Sequence, residues 1–380
     1  MRRTESDSAS TAAAAGLARL GNMTQTEALI DLAGQPVVLT YSSVAAEYEA
    51  LRRRAIVVNR NHRHRMRFSG PKAAEVLTGL VTNDVPALAP GQGQYAAALT
   101  AKGKVIADLR VLALEDSILT DVSARAGEGW SAMVRKYVNP RLAKYVDETS
   151  SLMCVGVFGV QARYVVEEIT GVGHSALAIL TPYSHVSVVR NGASILVMRS
   201  PELELEGYEL FVGAGGFQAA WEAAVTARAT PAGLAAWEIA RVEAGRPEWG
   251  IDMDDTTIPQ EANLDELGAV SYTKGCYTGQ ELVARVHFRG HVNRHLRGVR
   301  ASGTAPPVAK ATLFDATSKA VGDVRSTVSS PRLGGIALAM IRREIEAGTQ
   351  LIARWSADPA GDVAAGETQV DVVALPFVMQ

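Results

Sequence analysis

Hydrophobic and polar positions between residues 40 and 150 alternate between helical and strand-like patterns. Ser43 can cap an amphipathic helix, "VAAEYEALRRRA", and the apolar run "AIVVN" that follows is typical of a strand. The stretch "GQYAAALTAKGKVIADLRVLAL" predicts two strands joined at Gly103, because glycine permits the positive φ that a hairpin turn needs. A strand "SILTDVSA" and a helix "GEGWSAMVRKYV" complete this part.

A second stretch, near 150–245, repeats this mixture of strands and helices. "SLMCVGVFGV" predicts a buried strand, and Asn191-Gly192 predicts the turn of another hairpin. Helices are expected near 216–228 and 232–244. Hairpins grouped apart from helices favour an α+β fold over a doubly wound parallel sheet.

Beyond residue 296 the pattern changes to short strand-like runs separated by Gly, Pro and Ser turns. Close spacing of such runs is typical of a small β-barrel. We therefore expect a tail at 1–25, an α+β region of two subdomains at 26–295 and a C-terminal β-barrel at 296–380.

Length and charge limit the classes of function. A chain of 380 residues is too long for one core and has a formal net charge of only -2, so it carries no general cationic field for nucleic acid. No apolar run reaches the 18 or so residues that span a bilayer, and the first residues lack the apolar stretch of a signal peptide. With only two cysteines, a reducing cytoplasm is the expected location. Nucleic-acid and membrane partners are not expected.

The octamer "KGCYTGQE", residues 274–281, is the strongest candidate for chemistry. Two glycines frame Cys276, and Lys274 beside it would favour the thiolate that a nucleophile or redox contact requires. His287 and Glu281 are available in sequence as the partners of an acyl-transfer nucleophile. A structural cysteine in a glycine turn is the alternative reading.

Metal binding is not favoured. The two cysteines do not form a Cys-x-x-Cys pair, and glycine and β-branched neighbours weaken the helix that would align His287, His291 and His295. The basic run "RNHRHRMR" at 60–67 could be a polyanion patch, but alternate positions on a half-exposed strand are the favoured interpretation.

The stretch "TKGCYTGQELVAR" resembles the signature of the YgfZ family, folate-binding proteins that help maintain iron–sulfur enzymes. That family is a branch of the glycine-cleavage T-protein (aminomethyltransferase) superfamily. Residues 79–111 resemble the first folate-binding half of the superfamily, and 241–264 resemble the stretch that leads into the signature. The resemblance implies a T-protein-like arrangement, in which two α+β subdomains surround a central cavity and a β-barrel follows.

The resemblance also implies a tetrahydrofolate, or a one-carbon derivative of it, in the cavity. T-proteins carry an Asp-Asp pair where this chain has Ala107-Asp108, which puts aminomethyl transfer in doubt. Their pterin-binding acid falls near Glu204 or Glu206 here. A carboxylate and an aromatic wall suit a pterin, and an arginine suits its glutamyl tail. Arg241 could equally pair with Glu238 on one helix.

These arguments yield a definite set of expected site residues. The candidate catalytic residues are Cys276, Lys274 and Asp108. The candidate cofactor-binding residues are Tyr95, Asp108, Glu206, Arg241, Glu261, Gly275, Tyr277, Gln280 and Glu281. No metal site is expected.

The resemblance favours an accessory function over catalysis. The expected function is a folate-binding accessory protein for the assembly or repair of iron–sulfur enzymes, with Cys276 as an exposed functional thiol. The expected partners are a folate and iron–sulfur client or assembly proteins. The alternative is an aminomethyltransferase or another folate-dependent one-carbon transfer enzyme that uses the same cavity.

Overall fold

A computed structural model describes residues 28–303, 305–357 and 364–377. The expected tail at 1–25 lies outside these residues, and the expected domain boundaries stay predictions. Within the described ranges, no helix is long and apolar enough to cross a membrane.

Nineteen strands and eight α-helices form the described fold. In chain order the strands are β1 (Ala28–Leu32), β2 (Gln35–Thr40), β3 (Ile56–Asn59), β4 (His64–Ser69), β5 (Gly93–Leu99), β6 (Val105–Ala113), β7 (Ser117–Val122), β8 (Lys144–Asp147), β9 (Leu152–Phe158), β10 (His185–Arg190), β11 (Ala193–Arg199), β12 (Gly207–Gly213), β13 (Thr230–Ala232), β14 (Arg294–Ala301), β15 (Thr312–Phe314), β16 (Ala320–Ser330), β17 (Gly334–Arg342), β18 (Gln350–Trp355) and β19 (Gly366–Val373). The helices are α1 (Val44–Arg53), α2 (Ala73–Thr78), α3 (Gly127–Tyr137), α4 (Ala162–Thr170), α5 (His174–Ala178), α6 (Phe217–Thr226), α7 (Leu234–Glu243) and α8 (Gln280–Arg289).

The strands form two mainly antiparallel sheets, a hairpin and a closed barrel. The first sheet has the order β5-β6-β7-β4-β8, and the second has the order β10-β11-β12-β9-β3-β13, in which only β3 and β13 are parallel. Strands β1 and β2 form the hairpin, and β14-β17-β16-β15-β18-β19 close into the barrel. Antiparallel sheets with separate helices are the α+β arrangement that the sequence predicted.

Both predicted hairpin turns form at the expected residues. Gly103, between β5 and β6, has a φ of 70°, and Gly192, between β10 and β11, has a φ of 78°. Asn191 also takes a positive φ of 51°, as the first position of such a turn requires.

Helix α7 lies at the centre of the molecule, and all ten of its residues are buried. Its residue Trp237 shares one core with Leu39 of the hairpin, Tyr48 of α1 and Leu338 of the barrel. Gly233 precedes the helix at a point where a Cβ atom would lie 2.1 Å from the carbonyl carbon of Leu39, so a larger residue does not fit there. The helix therefore joins the barrel, the hairpin and α1 in one core.

A buried set of ionic side chains connects the two sheets, and we call it the arginine–carboxylate cluster. Its members are Arg60, Arg63, Arg65, Arg110, Asp121, Glu202 and Glu209. Arg110 on β6 lies 2.6 Å from Asp121 of the same sheet and 2.8 Å from Glu209 on β12 of the other sheet. Opposite charges on facing sheets thus pair across the gap.

The cluster overturns the favoured interpretation of the basic run at 60–67. Arg60, Arg63 and Arg65 are buried, with exposed fractions of 1%, 6% and 0%, where a half-exposed strand was predicted. Their guanidinium groups turn inward because Asp121, Glu202 and Glu209 supply carboxylates there. Buried charges are retained in proteins when they are paired in this way.

Stability at neutral pH depends on these carboxylates staying ionised. Burial by itself would raise the pKa of Asp121, but Arg110, Arg63 and Arg65 outweigh burial and hold that pKa well below its usual value. Burial likewise opposes ionisation of Glu209, and Arg110 and Arg60 keep its pKa low. The arginines therefore compensate for a desolvation that lone carboxylates could not tolerate.

We predict that Arg110→Met strongly destabilises the fold, because Met leaves Asp121 and Glu209 buried without their main cation. The expected loss is about 3–5 kcal/mol in the free energy of unfolding, measured by urea denaturation. Arg354→Met is the matched control, because Arg354 pairs with Glu367 at the surface and should cost less than about 1 kcal/mol. Equal losses in the two variants would contradict the role assigned to the cluster.

Candidate functional site

A pocket opens beside the arginine–carboxylate cluster, between the two sheets and helix α7. Its free volume is about 20 Å³, and it is lined by Arg63, Tyr95, Asp108, Glu202, Trp237, Arg241, Arg246, Pro247 and Glu248. Cationic, anionic and aromatic side chains converge in this concave space. Such convergence is typical of small-molecule sites.

Asp108 supplies a buried carboxylate with one free oxygen. Its Oδ2 accepts a hydrogen bond of 2.8 Å from the Tyr95 hydroxyl, whereas its buried Oδ1 has no partner among the described residues. Burial, followed by the nearby charge of Glu248, raises the pKa of Asp108 to about 6, although Arg63 acts in the opposite direction. The carboxyl can therefore gain or lose a proton near neutral pH.

The alternation of β6 explains why Ala107 does not weaken this site. Ala107 is fully buried in the core of the first sheet with Phe68 and Trp130, whereas Asp108 belongs to the core between the sheets. Successive side chains of a strand point to opposite faces. A carboxylate at position 107 would consequently point away from the pocket. Ala107, in place of the first Asp of the T-protein pair, therefore gives no structural reason to doubt aminomethyl transfer.

Tyr95 and Arg246 line the pocket, and Tyr183 contacts both of them from outside the lining. The rings of Tyr95 and Tyr183 stack with centroids 5.9 Å apart. The Arg246 guanidinium lies 5.0 Å from the centroid of Tyr95 and donates a hydrogen bond of 2.6 Å to the Tyr183 hydroxyl. Burial and the negative field of Asp108 raise the pKa of Tyr95, so its hydroxyl stays protonated as the donor to Asp108.

Trp237 adds a donor that sequence reasoning missed. Its indole Nε1 is buried and has no acceptor within the described chain, and the Arg60 guanidinium covers its ring at 3.9 Å. Glu202, Tyr183 and Arg246 were also missed. Only Arg246 lay within a stretch that the resemblance had marked, because the others come from distant, unremarkable positions.

Three expected folate-binding residues have structural partners. Arg241 lines the pocket, but its guanidinium pairs with Glu238 at 2.8 Å and with Asp252 at 2.9 Å. The alternative pairing with Glu238 is thus the observed one.

The other two lie outside the pocket lining. Glu206 pairs with Arg163, whereas Asp108, Glu202 and Glu248 are the acids that line the pocket. Glu261 accepts a bond from the Ile258 backbone and pairs with Arg294 of the barrel at 3.0 Å.

The loop before α8 separates the two residues expected to act together. Lys274 is buried, and its ammonium donates to the carbonyl oxygens of Thr78, Val81 and Asn83 at the end of α2. Burial lowers the pKa of Lys274 to about 8. Because an ammonium has three donors, none is left for Cys276. The expected activation of the thiol by Lys274 is therefore not observed.

Cys276 lies at the exposed tip of this loop. Gly275 beside it is exposed and has open space where a side chain would be, whereas Tyr277 is buried in the core that contains Tyr95. Gln280 and Glu281 begin helix α8. None of these residues lines the pocket, so the loop and the pocket are two separate features.

No group of three His, Cys, Asp or Glu side chains within the described ranges is arranged to hold a metal ion. His287 instead stacks on Tyr272 with ring centroids 3.5 Å apart.

Comparison with known proteins identifies relatives along nearly the whole chain. Residues 24–272 match the model of a family described as the GCVT N-terminal domain. An aminomethyltransferase of Rubrobacter xylanophilus is 29% identical over 92% of this chain and 90% of its own length. Another, from Saccharopolyspora erythraea, is 28% identical over 91% of this chain and 93% of its own length.

A solved structure confirms the fold. The glycine cleavage system aminomethyltransferase T of Bartonella henselae superposes with a TM-score of 0.81 over 93% of this chain and 94% of its own, at 22% sequence identity. The expected α+β arrangement with a C-terminal β-barrel is therefore confirmed.

We predict that Asp108→Asn stabilises the protein above pH 6. The proton leaves near pH 6 in the folded state but near 3.8 in the unfolded chain, so stability falls as the pH rises between these values. Asparagine carries no such charge and should gain up to about 3 kcal/mol at neutral pH, a gain that shrinks as the pH falls. Urea unfolding across this pH range measures the difference in free energy of unfolding between the variant and the wild type. Asp116→Asn, a change at an exposed position, is the control. A difference that does not change with pH would refute the raised pKa of Asp108.

Proposed function

The chain belongs to the GCVT N-terminal domain family, and we propose that it is a folate-dependent one-carbon transfer enzyme of the aminomethyltransferase type. The family binds tetrahydrofolate and its one-carbon derivatives, in agreement with the cofactor expected from the sequence. The curated relatives named above are aminomethyltransferases, which favours the alternative considered from the sequence over the iron–sulfur accessory function.

The free oxygen of Asp108 is the observation that carries this proposal. A buried acceptor without a partner is costly unless a ligand supplies a donor. The amine and amide groups of a pterin supply such donors. Because the pKa of Asp108 is about 6, this side chain can also take up or release a proton at the reacting nitrogen near neutral pH.

The surrounding residues support the same ligand. Arg246 offers a partly buried cation for an anionic group, and Tyr95 offers an aromatic side chain to a ring in the same pocket. Trp237 offers an indole N–H to an acceptor on the ligand edge. Bound tetrahydrofolate would supply the nitrogen that accepts the one-carbon unit, while these residues orient the ligand and exclude water.

We predict that Asp108→Asn lowers the rate of transfer by roughly 10²–10⁴-fold, as removal of an acid–base group commonly does. The assay is the formation of methylenetetrahydrofolate, with release of ammonia, from tetrahydrofolate and an aminomethylated carrier protein. Calorimetry with tetrahydrofolate measures binding separately, and a folate at 100 times its Kd should stabilise the wild type by about 2.7 kcal/mol. Asp116→Asn should behave as wild type. Absence of any folate-dependent stabilisation at millimolar ligand would reject the proposal.

A second candidate function rests on Cys276. This thiol is exposed on a glycine-framed loop, whereas Cys154 is buried and donates to Glu209 at 3.3 Å. An exposed thiol can contact a cluster, an oxidant or a client protein. This feature, with the likeness of "KGCYTGQE" to the YgfZ signature, supports an accessory role toward iron–sulfur client or assembly proteins.

We predict for this second candidate that Cys276→Ser folds normally but no longer restores iron–sulfur enzyme activity in cells that lack the gene. The side chain is exposed, so its free energy of unfolding should change by less than about 0.5 kcal/mol. Thr273→Ser, an equally small change at an exposed position of the same loop, is the control. Full restoration by Cys276→Ser would eliminate the accessory role and leave the enzyme proposal intact.

A further inference from the structure

A second concave surface lies outside the pocket, between the β5–β6 turn and helix α3. This groove has a volume of about 530 Å³. Its floor is formed by Ile106 and Met133, and Lys102 and Lys136 stand at its rim. Gly129 keeps the helix close to the strand, because a Cβ atom there would come within 3.1 Å of Ile106. We call this surface the basic groove.

Two lysines, Lys102 and Lys136, line the groove, and further cations follow along the chain. The segment from α3 to β8, residues 135–144, contains Arg135, Lys136, Arg141 and Lys144 and no acidic residue, although the whole chain has a net charge of -2. Neither these four residues nor Lys102 form an ion pair with a carboxylate in the part of the chain that the structure describes. The cations are therefore available to an outside partner.

Apolar surface accompanies these cations. Tyr137 is 48% exposed at the rim, and Leu142, on the same segment, is 42% exposed. Single exposed apolar residues are ordinary, but exposed apolar side chains that continue an apolar groove mark an interaction surface.

The groove shares a wall with the loop that carries Cys276. Thr100 lines the groove, and a Cβ atom on Gly279 would lie 2.4 Å from the Thr100 carbonyl oxygen. The loop therefore packs directly against the back of the β5–β6 turn. Cys276 is three residues before Gly279, so the two Cα atoms lie within about 11 Å of each other.

We propose that the basic groove docks an acidic protein segment that inserts an apolar side chain between α3 and the β5–β6 turn. Unpaired cations at the rim complement carboxylates on the partner. The concave, apolar floor suits a buried side chain better than it suits the phosphates of a nucleic acid or the broad surface of a membrane. The groove is distinct from the folate pocket, so this inference holds whichever proposed function is correct.

The test uses a synthetic peptide of 14 residues with leucines at helical spacing and glutamates between them, labelled with a fluorophore. Fluorescence anisotropy measures its binding to the full chain. Reversing both rim charges, in Lys102→Glu with Lys136→Glu, should weaken binding at least about tenfold, because two attractions become repulsions. Ala132 is an exposed residue of α3 that lines the groove, and Ala132→Trp, which fills the groove, should weaken binding similarly. Lys319→Glu, an exposed charge reversal on the barrel, should leave binding unchanged.

A quencher placed on Cys276 reports where the peptide binds, because Cys154 is fully buried and should not react. Quenching of the bound peptide is expected. The proposal is overturned if the acidic peptide does not bind, or if the Lys102→Glu, Lys136→Glu variant binds it as tightly as the wild type does. It is also overturned if a peptide with lysines in place of the glutamates binds with the same affinity. Variant-sensitive binding of phosphatidylserine vesicles or an RNA oligonucleotide instead of the peptide would also overturn it. Calorimetry with tetrahydrofolate on the same variants should remain as in wild type, which keeps this test separate from the folate proposal.

Discussion

The pairing of Arg110 with carboxylates on both sheets is the interaction on which the rest of the site depends. Arg110 lies next to Asp121 on its own sheet and next to Glu209 on the opposite one, and all three side chains are buried. The cluster contains four arginines and three carboxylates, so 4 − 3 leaves one positive charge in excess if all are ionised. The lining of the pocket itself is balanced, with Arg63, Arg241 and Arg246 against Asp108, Glu202 and Glu248. Burial and the charge of Glu248 raise the pKa of Asp108, Arg63 of the cluster lowers it, and the result is a pKa of about 6.

Three residues of β6, Ala107, Asp108 and Arg110, have different roles because side chains alternate between the two faces of the strand. Side chains two residues apart share a face, so Asp108 and Arg110 both point between the sheets while Ala107 points into the core of the first sheet. Asp108 faces the pocket, and Arg110, the next residue on the same face, pairs with carboxylates of both sheets. A slip of one residue in register would exchange these faces and place two charges in an apolar core. The strand pairing that fixes the fold therefore also fixes the orientation of the candidate catalytic carboxylate.

Local pattern predicted the turns, the α+β halves and the barrel because these depend on neighbouring residues. Gly103 and Gly192 adopt positive φ where the hairpins were expected. The buried arginines were not predicted, since a basic run has the same local pattern whether solvent or distant carboxylates neutralise it. Arg60 and Glu202 are separated by 142 positions, and no spacing rule connects them. For the same reason sequence reasoning missed Trp237 and Glu202, which line the pocket only after both sheets are assembled.

Neighbours in sequence can also point in different directions, as the loop before α8 shows. Lys274 and Cys276 suggested an activated thiol, but burial of the ammonium against three carbonyl oxygens draws the lysine toward α2. Tyr277 is anchored in the core, and Gly279 takes a φ of 83° against the β5–β6 turn. Anchors on both sides hold the loop in place while its tip remains open to solvent. Lys274 and Tyr277 therefore fix the backbone on either side of Cys276, and its thiol stays exposed between them.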